Sequence, residues 1–229
     1  MSSLLLLDGS PRGPRSNSMK MLSHVAAGWA EVGGGAVETL HLARPADFQR
    51  AVAAYGEATA EDVVVLGMPL YTDAMPALVK TWIEALAPLA GAAGNPSIGF
   101  LVQSGFNEAL HSRPLERYLE KLARRLGGGY AGTIVRGGGE ALQAMPDEAA
   151  GGLFKRLSVL GGQLASEGRF APETLVGVAA TERFSPAVAF MASVALKIPA
   201  AQFYWNGQLK RNGAWDRRFD APYAEECVR

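Results

Sequence analysis

Between a run of four leucines and a helical stretch lies Asp8-Gly9-Ser10-Pro11-Arg12-Gly13-Pro14-Arg15-Ser16-Asn17-Ser18. A bound phosphate needs backbone N–H donors, hydroxyls and a positive end, and the N-terminus of a helix supplies the first and last of these. Ser10, Ser16 and Ser18 can add hydroxyls, Asn17 an amide, and Arg12 a charge-assisted fork. A helix cap alone would need one such residue. Other phosphate-handling loops are excluded by what is missing. This loop holds no lysine, which a nucleotide-triphosphate loop needs before its Ser or Thr, and no G-x-G-x-x-G fingerprint. The single cysteine, Cys227, is far from the loop, so no thiol nucleophile is present in it. What remains is a cradle for one phosphate monoester. Asp8, an anion, is expected to bond loop N–H or hydroxyl groups and not the ligand.

Three more loops carry unusual residues. Met68-Pro69-Leu70-Tyr71-Thr72-Asp73-Ala74-Met75-Pro76 is bracketed by prolines that restrict their own φ and the residue before each. A rigid loop with an aromatic side chain and backbone amides suits the edge of a flat ring. In Gln103-Ser104-Gly105-Phe106-Asn107-Glu108, three side chains offer hydrogen bonds to ring carbonyls and nitrogens. There, and in Gly137-Gly138-Gly139-Glu140, glycines let backbone approach a planar ligand. Each of these loops is weak evidence alone, since a glycine turn needs no ligand.

The elements between them decide whether the four loops meet. Leu4–Leu7, Val63–Leu66, Ser97–Gln103 and Tyr130–Arg136 read as buried strands, with Val37–Leu42 a further, loosely alternating one. Helical spacing recurs in Met19, Leu22, Val25 and Trp29, then in Leu78, Trp82, Ala85 and Leu86. It returns in Leu115, Leu119, Leu122 and Leu126, and in Leu153, Leu157, Leu160 and Leu164. A short helix is expected over Asp47–Tyr55. Strand and helix alternate five times, which predicts an α/β protein with right-handed parallel crossovers. The expected architecture is a flavodoxin-like, doubly wound five-stranded parallel sheet of order 2-1-3-4-5 with a C-terminal helical extension. In such a sheet ligands bind beyond the carboxyl ends of the strands, where the order reverses. All four loops fall at that end. Residues 1–169 are expected to form this domain and residues 170–229 the extension, packed on the domain or on a partner subunit.

Gly9-Ser10-Pro11-Arg12 with Ser16-Asn17-Ser18, then Pro69-Leu70-Tyr71 with Met75-Pro76 and Lys80, resembles the NADPH-dependent FMN reductase family of flavodoxin-like oxidoreductases over about the first 140 residues. The resemblance implies FMN as cofactor and NAD(P)H as cosubstrate. Ser10, Arg12, Ser16, Asn17 and Ser18 would hold the phosphate. Pro69, Leu70, Tyr71 and Thr72, with Ser104 and Gly105, would hold the isoalloxazine. Gln103, Phe106, Asn107 and Gly138 complete the expected cofactor site by their place in the same loops. Iron–sulfur relatives carry a compact cysteine cluster, which one cysteine cannot supply. The resemblance also implies a homodimer, with Phe184, Phe190, Met191, Phe203 and Trp205 as candidate contacts.

Equal numbers of basic and acidic residues, 22 each, argue against nucleic acid as partner. One thiol fits a reducing, cytoplasmic setting. The leucine run is too short for a signal peptide and no basic residue precedes it. The apolar stretch Phe184–Trp205 is interrupted by Pro186, Lys197 and Pro199, so no membrane span is expected. His24 and His41 are expected on a helix and a strand away from the ligand end, and His111 near the last of the four loops without a recognisable partner. No catalytic side chain or metal site is expected, because a flavin carries its own chemistry. The expected function is an FMN-dependent oxidoreductase that takes hydride from NAD(P)H and reduces a small-molecule acceptor such as a quinone or flavin. The alternatives are an electron-carrier or flavin-binding module without a substrate of its own, and a phosphate-ester or nucleotide-binding protein on the same fold.

Overall fold

Four consecutive leucines leave no side for water, and Leu4–Asp8 forms a strand (β1) buried along its whole length. Val37–His41 (β2), Val63–Pro69 (β3), Ser97–Gln103 (β4) and Tyr130–Arg136 (β5) complete one sheet, in the order β2-β1-β3-β4-β5. Every neighbouring pair is parallel. This is the flavodoxin-like arrangement expected from the alternation of elements. The computed structural model describes residues 2–143, 145–195 and 202–221. Cys227, Lys197 and Pro199 lie outside the described residues.

Alternate strand residues point to opposite faces, and two apolar clusters result. Leu5, Leu7, Val64, Leu66, Phe100 and Val102 face Pro45–Glu57 (α2), Ala77–Ala85 (α3) and Arg113–Leu126 (α4). Leu4, Leu6, Val63, Val65 and Leu101 face Asn17–Glu31 (α1) and Asp147–Glu167 (α5). Left-handed glycines, Gly127 at φ 85° and Gly168 at φ 68°, close α4 and α5.

Several boundaries differ from the sequence reading by one to three residues, and prolines mark two of them. β3 continues past Leu66 because Met68 and Pro69 still pair with Val102 and Gln103, the proline ending the strand. α2 begins before Asp47 because Pro45, with its preset φ, occupies the first turn.

The chain divides into two compact units, Met1–Arg183 and Phe184–Arg229. The first includes Pro172–Val178 (α6), which lies against β5 and α5. Phe170, just before it, is 2% exposed, and its N–H bonds the carbonyl of Ala131 at 2.8 Å. The second unit contains Pro186–Ala195 (α7) and Phe203–Arg211 (α8). Phe190, Met191, Phe203 and Trp205 are exposed there. Among the described residues no helix is long and apolar enough to cross a membrane.

Candidate functional site

The turn after β1 is shaped from below by Asp8. Its fully buried carboxylate takes the Ser10 N–H at 3.1 Å and the Ser16 hydroxyl at 3.1 Å on one oxygen. The other oxygen lies 3.1 Å from His41 Nδ1. Burial pushes the carboxyl above its ordinary 3.8, while His41, the Ser10 N–H and the Ser16 hydroxyl pull it back. The same Ser16 oxygen accepts the Met19 N–H at 2.9 Å and caps α1. Within the turn, the Arg12 N–H reaches Ser10 Oγ at 3.3 Å, the Gly13 N–H bonds the Ser10 carbonyl, and the Ser16 N–H bonds the Gly13 carbonyl. Asp8 thus bonds loop donors as expected, and it holds both ends of the turn.

Ser18, in the first turn of α1, is fully buried and its hydroxyl has no hydrogen-bond partner. The first-turn N–H groups of Asn17 and Ser18 have no acceptor within the helix itself. An unpartnered buried hydroxyl costs about 1–3 kcal/mol, and it stands beside the positive end of a 15-residue helix. A phosphate at the head of α1 fits that donor set.

The loops after β1, β3, β4 and β5 do converge. One cleft, with about 330 Å³ of space partly open to solvent, is lined by Ser10, Arg12 and Asn17 from the first loop and by Pro69, Leu70 and Tyr71 from the second. Gln103, Ser104 and Gly105 line it from the third, and Glu140 from the fourth. The Leu70 N–H bonds the Gln103 carbonyl at 2.7 Å and fixes the second loop on the third. At Gly105 an added Cβ would meet only Glu140 Cβ, at 3.9 Å, so a planar group has room against the backbone there. The donor set and the glycine wall fit a flavin mononucleotide.

Six expected site residues sit beside this cleft without lining it. Ser16 and Ser18 lie beneath the turn. Thr72 is at the exposed tip of a tight turn closed by Tyr71 and Ala74, with φ 46°. Phe106 stacks on His111 with ring centroids 4.3 Å apart. Its carbonyl receives the Gly138 N–H at 2.7 Å. Gly138 has φ 68°, a conformation glycine adopts readily. Asn107 packs against Gly137 and Gly138, so these two loops brace each other.

The first and last loops are also stitched together. Asn17 Nδ2 donates to the Gly139 carbonyl at 2.9 Å, and Lys20 Nζ to the Leu142 carbonyl at 3.4 Å. The Arg12 guanidinium spans both carboxylate oxygens of Glu140 at 3.2–3.3 Å and reaches Gln143 Oε1 at 3.4 Å. Sequence reasoning named Arg12 but not its partner, which is 128 residues away.

One expectation about the histidines is corrected. His41 does not lie away from the ligand end. Parallel pairing places it level with Asp8, and the two side chains touch. The signal was available, since aligning Leu4–Asp8 beside Val37–His41 brings both to the same strand ends. His24 stacks on Phe154 of α5 at 4.0 Å, and burial lowers its pKa. His111 does have neighbours, Phe106 and Glu108, the latter at 3.8 Å. Lys80 and Glu84 form an exposed ion pair, a solvated face as expected. Among the described residues no group of His, Cys, Asp or Glu could hold a metal.

Residues 2–93 match a protein family described as having a flavodoxin-like fold. No curated protein matches the chain. Among solved structures, an azoreductase from Bacillus anthracis str. Sterne is similar at 17% identity and TM-score 0.53, over 71% of this chain and 100% of that one. An FMN-dependent NADH-azoreductase from Bacillus anthracis str. Ames Ancestor, solved with FMN, aligns at 14% identity and TM-score 0.52, over 72% and 100%. An NAD(P)H:quinone oxidoreductase from Methanothermobacter marburgensis aligns at 17% identity and TM-score 0.54, over 71% and 96%. At these identities the likeness is one of fold. The match and the likeness agree with the flavodoxin-like fold read from the sequence.

Proposed function

We propose that this chain, flavodoxin-like in sequence over residues 2–93 and in its sheet, is an FMN-dependent oxidoreductase that takes hydride from NAD(P)H and reduces a small acceptor such as a quinone or a flavin. The observation that carries the reading is a polar cleft across the tips of β1, β3 and β4, beside a helix head whose buried Ser18 hydroxyl has no protein partner. When bound, FMN supplies the hydride and electron chemistry, which is why no acid–base pair is needed from the protein. The chain's part is to bind and orient. Ser10, Asn17, Ser18 and the head of α1 would take the phosphate, with Arg12 at the rim. Pro69, Leu70, Tyr71, Gln103, Ser104 and Gly105 would meet the ring, and Thr72, Phe106, Asn107 and Gly138 hold the surrounding loops in shape. The Ser16 hydroxyl serves the phosphate indirectly, through the cap and Asp8.

Two finer parts of the reading are also proposals. The exposed apolar side chains of α7 and α8, Phe190, Met191, Phe203 and Trp205 among them, support a homodimer. Phe184 belongs to the same stretch. We place the protein in the cytoplasm on the strength of its lone cysteine.

The test is a visible spectrum of the purified protein followed by identification of the released chromophore, then NAD(P)H oxidation with and without a quinone. FMN and quinone-stimulated turnover are expected. A bound flavin that NAD(P)H never reduces would make the chain a carrier, and a protein that takes up no flavin would end the reading. Arg12→Ala with Ser18→Ala should weaken FMN roughly 10- to 100-fold, as loss of charge-assisted hydrogen bonds implies. Riboflavin affinity should stay within about 2-fold, because that ligand lacks the phosphate.

A further inference from the structure

A buried acid–imidazole pair lies under the phosphate turn. Asp8 is fully buried and His41 is nearly so, with 11% of its side chain exposed. Together they join three pieces of chain. Asp8 ends β1, its carboxylate fastens Ser10 and Ser16 at the two ends of the turn, and His41 ends the edge strand β2. A phosphomonoester at the head of α1 would be a second anion close to this carboxylate. Like charges in a poorly solvated place repel strongly, so the turn can accept a phosphate well only if the Asp8 charge is neutralised. The Nδ1 contact supplies the means, because an imidazole changes charge between about pH 5 and 8.

We propose that Asp8 and His41 are positioning residues that form a proton-linked anchor of the phosphate turn, so that a proton held by the pair lets the turn accept a phosphate monoester and its loss weakens that binding. This rests on the FMN reading above and deepens it. The other charged groups facing His41 come from the segment that enters α2. Asp47 accepts the His41 backbone N–H at 3.0 Å, and the Arg44 guanidinium lies 3.8 Å from Asp47. The Arg44 N–H also bonds the His41 carbonyl. Asp47 and Arg44 are opposite charges on that side, and the carboxylate in direct side-chain contact is that of Asp8. Burial of Asp8 favours a proton on the pair, since it disfavours a bare carboxylate there.

Two variants separate charge from shape. His41→Gln keeps a donor toward Asp8 but cannot titrate. Asp8→Asn keeps an oxygen for the Ser10 N–H and the Ser16 hydroxyl but carries no charge. FMN and riboflavin affinities are measured from pH 6 to 8.5 for the wild type and both variants, with proton uptake on binding read by calorimetry in two buffers. The phosphate of FMN loses its second proton near pH 6 in every case, so the wild-type profile is divided by that of His41→Gln.

The ratio is expected to show FMN affinity falling about 10-fold between pH 6 and 8, as one linked proton allows. Proton uptake should be seen for the wild type only, with riboflavin flat. Asp8→Asn should bind FMN more tightly than the wild type at pH 8. Identical profiles for the wild type and His41→Gln would overturn the anchor while leaving FMN preferred over riboflavin and the proposed function standing. Should the wild type bind FMN no better than riboflavin at every pH, the phosphate cradle itself fails, and the anchor with it. If His41→Gln does not fold, an Asp8→Asn protein that binds FMN no more tightly than the wild type at pH 8 overturns the anchor in its place.

Discussion

Asp62, just before β3, shows how much one carboxylate can organise. One oxygen takes the N–H and hydroxyl of Ser3, and the other takes the N–H and hydroxyl of Thr59. Burial pushes its pKa up, but the four hydrogen bonds outweigh burial and hold it at about 2, against an ordinary 3.8. A pKa depressed by folding stabilises the folded chain above the unfolded value and loses that contribution as pH falls through the folded one. Asp62→Ala should therefore cost about 1–2 kcal/mol at pH 7, a range reduced for solvent screening. Urea unfolding midpoints of the two proteins should converge near pH 2, and a gap that persists there would assign the effect to packing. The side-chain types of the proposed phosphate cradle were legible at this scale, because Ser10, Arg12, Asn17 and Ser18 differ from an ordinary turn in kind. Their partners were not. Nothing local in Arg12 points to Glu140, and the chemistry of Ser16 is spent on Asp8 and Met19, which only the folded turn reveals.

Among the described elements, α1 and α5 share the most extensive helix–helix contact, and two glycines let their backbones meet. A Cβ at Gly28 would strike the Ser158 carbonyl, and one at Gly161 would strike the Val25 carbonyl. These obstacles are backbone, so no rotamer change relieves them. Gly161→Ala should force the helices apart and cost about 2–3 kcal/mol, as overpacking does. Gly152, in the same helix, has no atom within 4 Å of its Cβ position. There the substitution should add about 0.5–1 kcal/mol, because alanine favours helix over glycine. Thermal unfolding should thus move in opposite directions for two glycines nine positions apart in one helix. Equal effects would mean that helix propensity, not backbone approach, governs both. The strands and long helices could be read from the sequence, since apolar runs and three-to-four-residue stripes follow directly from burial on a doubly covered sheet. α6 could not. Its seven residues carry too short a stripe, and what holds it is Phe170 seated over Gly99 and Gly132 of the neighbouring strands.

For the whole molecule, strand order followed from alternation, because right-handed crossovers leave few arrangements for five such repeats. Where the first unit stops did not, because the contacts that extend it are long-range. Beyond residue 169, Phe170 and Val178 are buried, and Val178 offers its carbonyl to Arg136 Nη1 at 3.1 Å. The Thr181 carbonyl takes the Ala109 N–H, and Glu182 pairs with Arg113 at 2.6 Å. A chain ending at Arg183 should therefore unfold cooperatively within about 3 °C of the full protein, a difference worth about 1 kcal/mol at this size. It should also bind FMN within about 3-fold of the full protein, a loss below 1 kcal/mol. A chain ending at Arg169 would uncover the wall of β4 and β5 and leave the half-buried Arg136 without that acceptor. Removing one buried aromatic costs about 3–5 kcal/mol, so its midpoint should fall by roughly 10 °C. Equal midpoints for the two truncations would show that α6 and the segment to Arg183 add nothing to the stability of the sheet. A large loss in the longer one would show that Phe184 onward is needed for the first unit to fold.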